Sequence, residues 1–270
     1  MASIDGMLLD FKRLDQLATG TTTLHRLDAR AKVLVTLVFV LCVVSFGKYE
    51  IASLLPFSIF PFVLLSRGNL PSVYFARKIA MVLPFAFLVG AFNPLFDREI
   101  LLQLGPVSIS GGWVSCVSIM VRALLTVGTA LLLVGVTGFT DICRALERLG
   151  MPKVFAVQLL FLYRYLFVLT EEAGRAARAR DLRSFGRQGQ GVVPAANIIG
   201  HLLLRTWQRA ERIHMAMLAR GFSGEFHTIT ASRFASPELL FTVGWTALFL
   251  VLRLFNIPLL VGTYVTGLFA

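Results

Sequence analysis

Charge is scarce in this chain, and acidic charge is scarcer still. Only 15% of the 270 residues are charged, and 26 Lys and Arg face 15 Asp and Glu, for a net charge of +11. Cysteine is nearly missing: Cys42, Cys116 and Cys143 are far apart, and two of them lie in apolar runs. That spacing excludes a paired-cysteine metal motif and a disulfide framework, and it fits small buried hydrophobes. The four histidines, His25, His201, His214 and His227, make no short metal-ligand cluster. Gly47-Lys48 is the single Gly-Lys pair, without the upstream glycine or the following Ser/Thr of a phosphate-binding loop. The chain therefore lacks that route to nucleotide hydrolysis. No Gly-x-Ser-x-Gly or His-Glu-x-x-His motif is present either, which argues against a hydrolase or a zinc protease. The first twenty residues are polar, without the apolar core that a cleavable signal peptide needs.

Apolar residues fill the space. They make up 56% of the chain, and mean hydropathy is +0.75, so the class is a polytopic membrane protein. The positive balance then reads as loop charge, since basic residues gather on the cytoplasmic side of membrane proteins. No aromatic-basic platform accompanies it, which argues against nucleic acid. Apolar runs fall at about 33–46, 51–65, 79–96, 112–137, 153–170 and 238–270. The first two are short of the ~20 residues that cross hydrocarbon and are parted by the polar break Gly47-Lys48-Tyr49-Glu50. Arg26, Arg30 and Lys32 precede this pair, and Arg67, Arg77 and Lys78 follow it. Equal charge on both flanks predicts two short helices that go out and return. The acidic stretch Asp97-Arg98-Glu99 suits the outside, and Leu104–Gly112 reads as an outer loop with a short hairpin. Pro84, Pro94 and Pro106 are placed to kink or end helices. A last span, 239–255, follows Ser236-Pro237-Glu238 and is broken by Asn256-Ile257-Pro258.

Three arginines stand in apolar surroundings: Arg122, Arg164 and Arg253. Arg122 lies deep enough in its run to need either a partner inside the bundle or a function, and Arg253 is expected to snorkel from the end of the last span.

The run 153–170 conflicts with this charge logic. If it crossed, the region 171–233, with ten arginines and five acids, would lie outside, against the positive-inside rule. The expectation is a long helix from Lys153 to about Phe185 that stays on the cytoplasmic side, apolar in its first half and basic in its second. A second helix starts at Pro194 and runs to about Arg220. Leu203, Trp207, Ala210, His214, Met217 and Leu218 share one face of it; Arg205, Arg209 and Arg212 lie near the opposite face and support the helix. Gly186–Gly191 is a flexible connector between the two.

Within this basic region two similar segments lie 40 residues apart. Each is a helix-like stretch ending in Ala-Arg and followed by Phe and Gly, around Ala179-Arg180-Asp181 and around Ala219-Arg220-Gly221. An Arg near a helix C-terminus followed by Gly is favourable on local grounds alone, because the cation meets the negative dipole end and Gly caps it. Repetition in one membrane protein points further, to docking, since Arg makes oriented, bidentate contacts with carboxylates.

These segments, together with Leu24-His25-Arg26-Leu27-Asp28-Ala29-Arg30-Ala31-Lys32 and Leu146-Glu147-Arg148-Leu149-Gly150-Met151-Pro152, resemble the transmembrane T component of energy-coupling factor (ECF) transporters, and within it the CbiQ cobalt permeases. The resemblance covers about 24–225. It implies an all-α polytopic membrane protein with about five transmembrane helices, room for a sixth, and long cytoplasmic coupling helices. The parts expected are a cytoplasmic segment 1–32, a four-helix membrane bundle 33–139, the coupling region 140–235 and a membrane segment 236–270.

The resemblance also implies a non-catalytic subunit of the bacterial inner membrane, with its N-terminus and coupling region in the cytoplasm. Its partners would be a CbiO-like ATPase dimer, a CbiM-like substrate-binding membrane subunit and a small CbiN-like accessory protein. ATP and Mg would be bound by the ATPase, and no cofactor or metal by this chain. Ala179, Arg180, Asp181, Ala219, Arg220 and Gly221 would be the ATPase-docking residues, although Asp181 stands where the family has Gly. Two alternatives stay open at this stage. One is a T component for nickel or a vitamin. The other is a permease that carries substrate itself, for which Glu171-Glu172-Ala173-Gly174 faintly resembles an ATPase-docking loop.

Overall fold

The computed structural model describes residues 13–96, 100–104, 107–183, 191–224 and 236–255. The chain divides into two compact units: a bundle unit of Leu17–Gly138 with Ser232–Ala270, and a basic unit of Met1–Gln16 with Phe139–Ala231. The fold is all-α and of the polytopic membrane class. Four helices are long and apolar enough to cross a membrane, Ser72–Gly90, Gly111–Thr137, Lys153–Arg183 and Ser236–Leu254, and Ala52–Arg67 is a shorter apolar one.

The bundle unit opens with α1 (Thr23–Arg26) and α2 (Ala29–Val44). Asp28 starts α2 by accepting a hydrogen bond from the Arg30 backbone N–H at 2.9 Å, a capping role suited to its short carboxylate. The expected break after this run is a turn in which the Glu50 N–H reaches the Gly47 carbonyl. A 3₁₀ segment, Ala52–Ser58, then runs into α3 (Ile59–Arg67). Pro56 sits inside the tight segment, where its missing N–H interrupts regular α-helical bonding. The next span is α4 (Ser72–Ala80) and α5 (Leu83–Gly90), parted at Met81-Val82 just ahead of Pro84. Short α6 (Asn93–Phe96), the antiparallel strands β1 (Ile100–Leu104) and β2 (Val107–Ser110), and the long α7 (Gly111–Thr137) follow. The hairpin expected in this loop is therefore present, while Asp97–Glu99 and 105–106 lie outside the described residues. The last described helix of the unit is α11 (Ser236–Leu254), and the apolar run from 256 onward lies outside them as well.

Helix α7 is the centre of this unit and packs against α2, α3, α4, α5 and α6. Glycine permits the close approach. A Cβ on Gly112 would lie 2.4 Å from the Pro94 Cα, and one on Gly135 would lie 2.7 Å from the Phe75 ring. Small residues serve this purpose in membrane bundles, where packing rather than water exclusion holds helices together. On the other side of α2 an aromatic cluster fills the core. Phe39 lies 5.1 Å from Phe60 and 5.3 Å from Phe249, and Phe60 lies 4.9 Å from Trp245 in an edge-on arrangement.

Two arginines of apolar runs in the bundle, Arg122 and Arg253, find partners at one place, the end of α2 and the turn after it. Arg122 donates to the Gly47 carbonyl. Arg253 donates to the Ser45 carbonyl at 2.9 Å and lies 4.4 Å over the Phe46 ring. A helix-end carbonyl and an aromatic face within reach give the charge of Arg253 a partner at the end of α2. The partner of Arg122 is thus the carbonyl of an exposed turn rather than a group inside the bundle.

The basic unit contains α8 (Phe139–Arg148), α9 (Lys153–Arg183) and α10 (Val192–Ala219). Gly150, with φ +114°, ends α8, and the Met151 N–H returns to the Leu146 carbonyl at 3.0 Å, a glycine-based helix stop. At 31 residues, α9 is about 46 Å long at 1.5 Å per residue. Phe139 of α8 stacks on Tyr163 of α9 at 4.7 Å. Of the connector 186–191, all but Gly191 lies outside the described residues.

Candidate docking site

The two Ala-Arg segments, alike in sequence, differ in structure. Ala219 is the last residue of α10, and Arg220 is its C-cap. Gly221 takes φ +79°, the left-handed conformation that glycine adopts at no steric cost. The Phe222 N–H then bonds to the Met217 carbonyl and the Gly221 N–H to the Leu218 carbonyl, both at 3.0 Å. This is a complete glycine-based stop. The Arg220 side chain is exposed and has no ion-pair partner among the described residues.

The first segment does not end a helix. Helix α9 continues through Arg180 and Asp181 to Arg183, in keeping with the long helix expected from Lys153 to about Phe185, so this Ala-Arg pair does not mark a helix end. The reason is local: Asp181 stands where Gly would stop the helix, and a residue with a Cβ resists the left-handed turn. Asp181 also engages its neighbour, accepting from Arg180 Nη2 at 3.1 Å and Nε at 3.2 Å. One guanidinium therefore stands without a partner among the described residues at a capped tip, and the other is held along a continuous helix.

Between the second half of α9 and the first half of α10 runs a cleft of about 780 Å³. Ala179, Arg180 and Arg183 line it from α9, and His201 and Arg205 from α10. Glu172 also lines it, and its carboxylate lies 3.1 Å from Arg209 Nη1 and 3.8 Å from Arg205 Nη1. Two of the three arginines assigned to helix support thus converge on one carboxylate, while Arg212 is exposed and unpaired among the described residues. Glu172 is the residue that sequence reasoning missed. In sequence it belongs to Glu171-Glu172-Ala173-Gly174, which resembles a docking loop, but it lies inside α9 and its side chain is 12% exposed. The clue in the sequence was the i, i+4 spacing of Arg205 and Arg209, which puts both on one helical face.

The apolar face expected on α10 is present and exposed among the described residues. Leu203 and Trp207 are each 67% exposed. The Trp207 indole N–H donates to Glu211 at 2.8 Å. A large apolar face of this kind marks an interaction or membrane surface.

Comparison with known proteins decides the family. The model of the CbiQ cobalt transport protein family matches residues 20–231. The chain belongs to the CbiQ family. Cobalt transport protein CbiQ of Rhodobacter capsulatus is 29% identical over 213 residues, 77% of this chain and 84% of the relative. Energy-coupling factor transporter transmembrane proteins EcfT are similar too. That of Thermanaerovibrio acidaminovorans is 28% identical over 228 residues, 78% of this chain and 83% of its own. That of Bacillus subtilis is 24% identical over 232 residues, covering 80% and 87%. This CbiQ-family chain is accordingly a multi-pass membrane component of an ECF-type transporter. Both Ala-Arg segments and Glu172 lie within the matched region.

Proposed function

We propose that this CbiQ-family chain is the coupling subunit of an ATP-driven cobalt importer. It links a cytoplasmic ATPase pair, which binds ATP and Mg, to a substrate-binding membrane partner, with a small accessory membrane protein completing the assembly. In this reading the region 140–235 and the N-terminus face the cytoplasm of a bacterial inner membrane, α9 does not cross, and the chain itself is not catalytic. The observation that carries the proposal is the tip of α10, where Arg220, without an ion-pair partner among the described residues, sits on a helix closed by Gly221. A rigid, exposed guanidinium is suited to a carboxylate in a groove of an ATPase. Arg180 on α9 would make the second contact, with Glu172 holding α9 and α10 together as they move. The apolar face around Leu203 and Trp207 would meet the substrate-binding partner.

Among the described residues no group of three or more His, Cys, Asp or Glu side chains could hold a metal ion. In this reading metal capture belongs to the substrate-binding partner. Co-purification tests it. Arg220→Glu is expected to lower recovery of the ATPase and cobalt uptake while leaving membrane insertion intact, and Arg180→Glu to act in the same direction but less. Normal ATPase recovery and uptake in the double variant would sink the idea. Direct cobalt binding by the purified chain would favour a permease that carries substrate itself.

A further inference from the structure

At the basic end of the bundle unit is a second pocket, of about 450 Å³, that no transport role has used. Three segments line it: α1 with Leu27 after it, one face of α3 from Phe60 to Arg67, and α11 from Pro237 to Trp245. Its walls are apolar and aromatic. Phe60 is 1% exposed, and Leu64, Phe241 and Trp245 line the rest. Its mouth carries Arg26 and Arg67. Both are exposed, and neither guanidinium has a partner among the described residues. One carboxylate, Glu238, also lines the pocket. It is only 8% exposed and is engaged within the protein, so the mouth keeps a positive balance.

The arginines stand on rigid supports. The residue before Arg26, His25, is tied on both ring nitrogens, to the Thr22 hydroxyl at 2.6 Å and to the Leu17 carbonyl at 3.0 Å. Arg67 closes α3, where the Gly68 N–H returns to the Leu64 carbonyl at 2.9 Å. A free phosphate would be served by the arginines but would leave the apolar walls unused. A purely apolar ligand would leave two cations unanswered at the rim. A ligand with an anionic head and an apolar body uses both, and the surrounding membrane supplies one.

We propose that this pocket is a binding site for an anionic phospholipid. The phosphate is held by Arg26 and Arg67, whose planar guanidinium groups suit phosphate oxygens, and the start of the acyl chains lies on Phe60, Phe241 and Trp245. Basic pockets between membrane helices bind phospholipid headgroups in this manner. The site is independent of the coupling role and is tested without any partner protein.

Trp245 lines the pocket and can report on it. With Trp113→Phe and Trp207→Phe it becomes the sole tryptophan, and the full chain is placed in vesicles of phosphatidylcholine with increasing brominated phosphatidylglycerol or brominated phosphatidylcholine. Brominated phosphatidylglycerol is expected to quench Trp245 with an apparent affinity about tenfold higher than the zwitterionic lipid. Arg26→Gln with Arg67→Gln should abolish that preference while emission and helical circular dichroism in phosphatidylcholine stay unchanged; Lys at both positions should keep part of it. Equal quenching by the two lipids, or a preference that survives the double Gln variant, would overturn the proposal. Loss of the preference on adding inorganic phosphate would overturn it too, by making the site one for soluble anions.

Discussion

The contact of Glu172 with Arg205 and Arg209 offers the sharpest test of how α9 and α10 are held together. The two cations lie at 3.8 and 3.1 Å from the carboxylate, so distance changes their Coulomb attraction by only roughly a fifth. Exposure separates them. Arg205 is 71% exposed and Arg209 37%, against 12% for Glu172. A pair screened like that of Arg205 contributes about 0–1 kcal/mol. Removing Arg209 leaves a mostly buried carboxylate with only its weaker partner, which costs about 1–3 kcal/mol. Arg209→Ala is therefore expected to destabilise the basic unit clearly more than Arg205→Ala. Glu172→Gln should recover much of the Arg209→Ala loss, because the buried charge is then gone. A double-mutant cycle on denaturant unfolding of the purified chain, or on protease resistance of the α9–α10 region, measures this. A coupling of about 1 kcal/mol or more between 172 and 209 is expected. Strictly additive effects, or equal losses for the two arginines, would refute the reasoning.

Three further outcomes follow from the same geometry. Gly112→Ala should lower folded yield sharply, since its Cβ would fall 2.4 Å from a backbone atom, whereas Gly200→Ala in α10 meets open space and should slightly raise helix stability; yield and thermal unfolding distinguish them. Gly221→Ala should cost about 1 kcal/mol by forcing a side-chain residue to φ +79°, and should weaken ATPase recovery with Arg220 still present. His25 has its pKa lowered, by burial first and by the charge of Lys32, against the raising effect of its bond to the Leu17 carbonyl. The unfolded chain then binds the proton more readily, so the stability contributed by neutral His25 is complete above about 6.5 and is lost as pH falls below that value toward the folded pKa. Local protease sensitivity near 17–28 should rise over that window, and His25→Gln should flatten the profile.

Much of the helical layout was legible because membrane helices write themselves as apolar length. The run 112–137 became α7 (Gly111–Thr137), and 239–255 became α11 (Ser236–Leu254), each within a few residues. Proline and polar breaks were legible for the same local reason, since a missing N–H acts on its own turn wherever the helix later packs. Gly221 belongs here too, as a stop decided by backbone conformation.

What lay beyond local rules needed the folded chain. Arg253 lies 208 residues from Ser45, and no periodicity or composition connects them; only the packing of α11 against α2 does. Glu172 had the same obscurity, because a carboxylate becomes a clamp only when another helix brings two cations to it. Arg180 and Arg220 show the division most clearly. Sequence alone established that both follow Ala on basic helices, and that one lacks its glycine. Tertiary structure decided that Arg180 borders a cleft between α9 and α10, while Arg220 is exposed and without an ion-pair partner among the described residues. Local chemistry determines where a helix can stop, but which charges find partners depends on neighbours that the chain brings from far away.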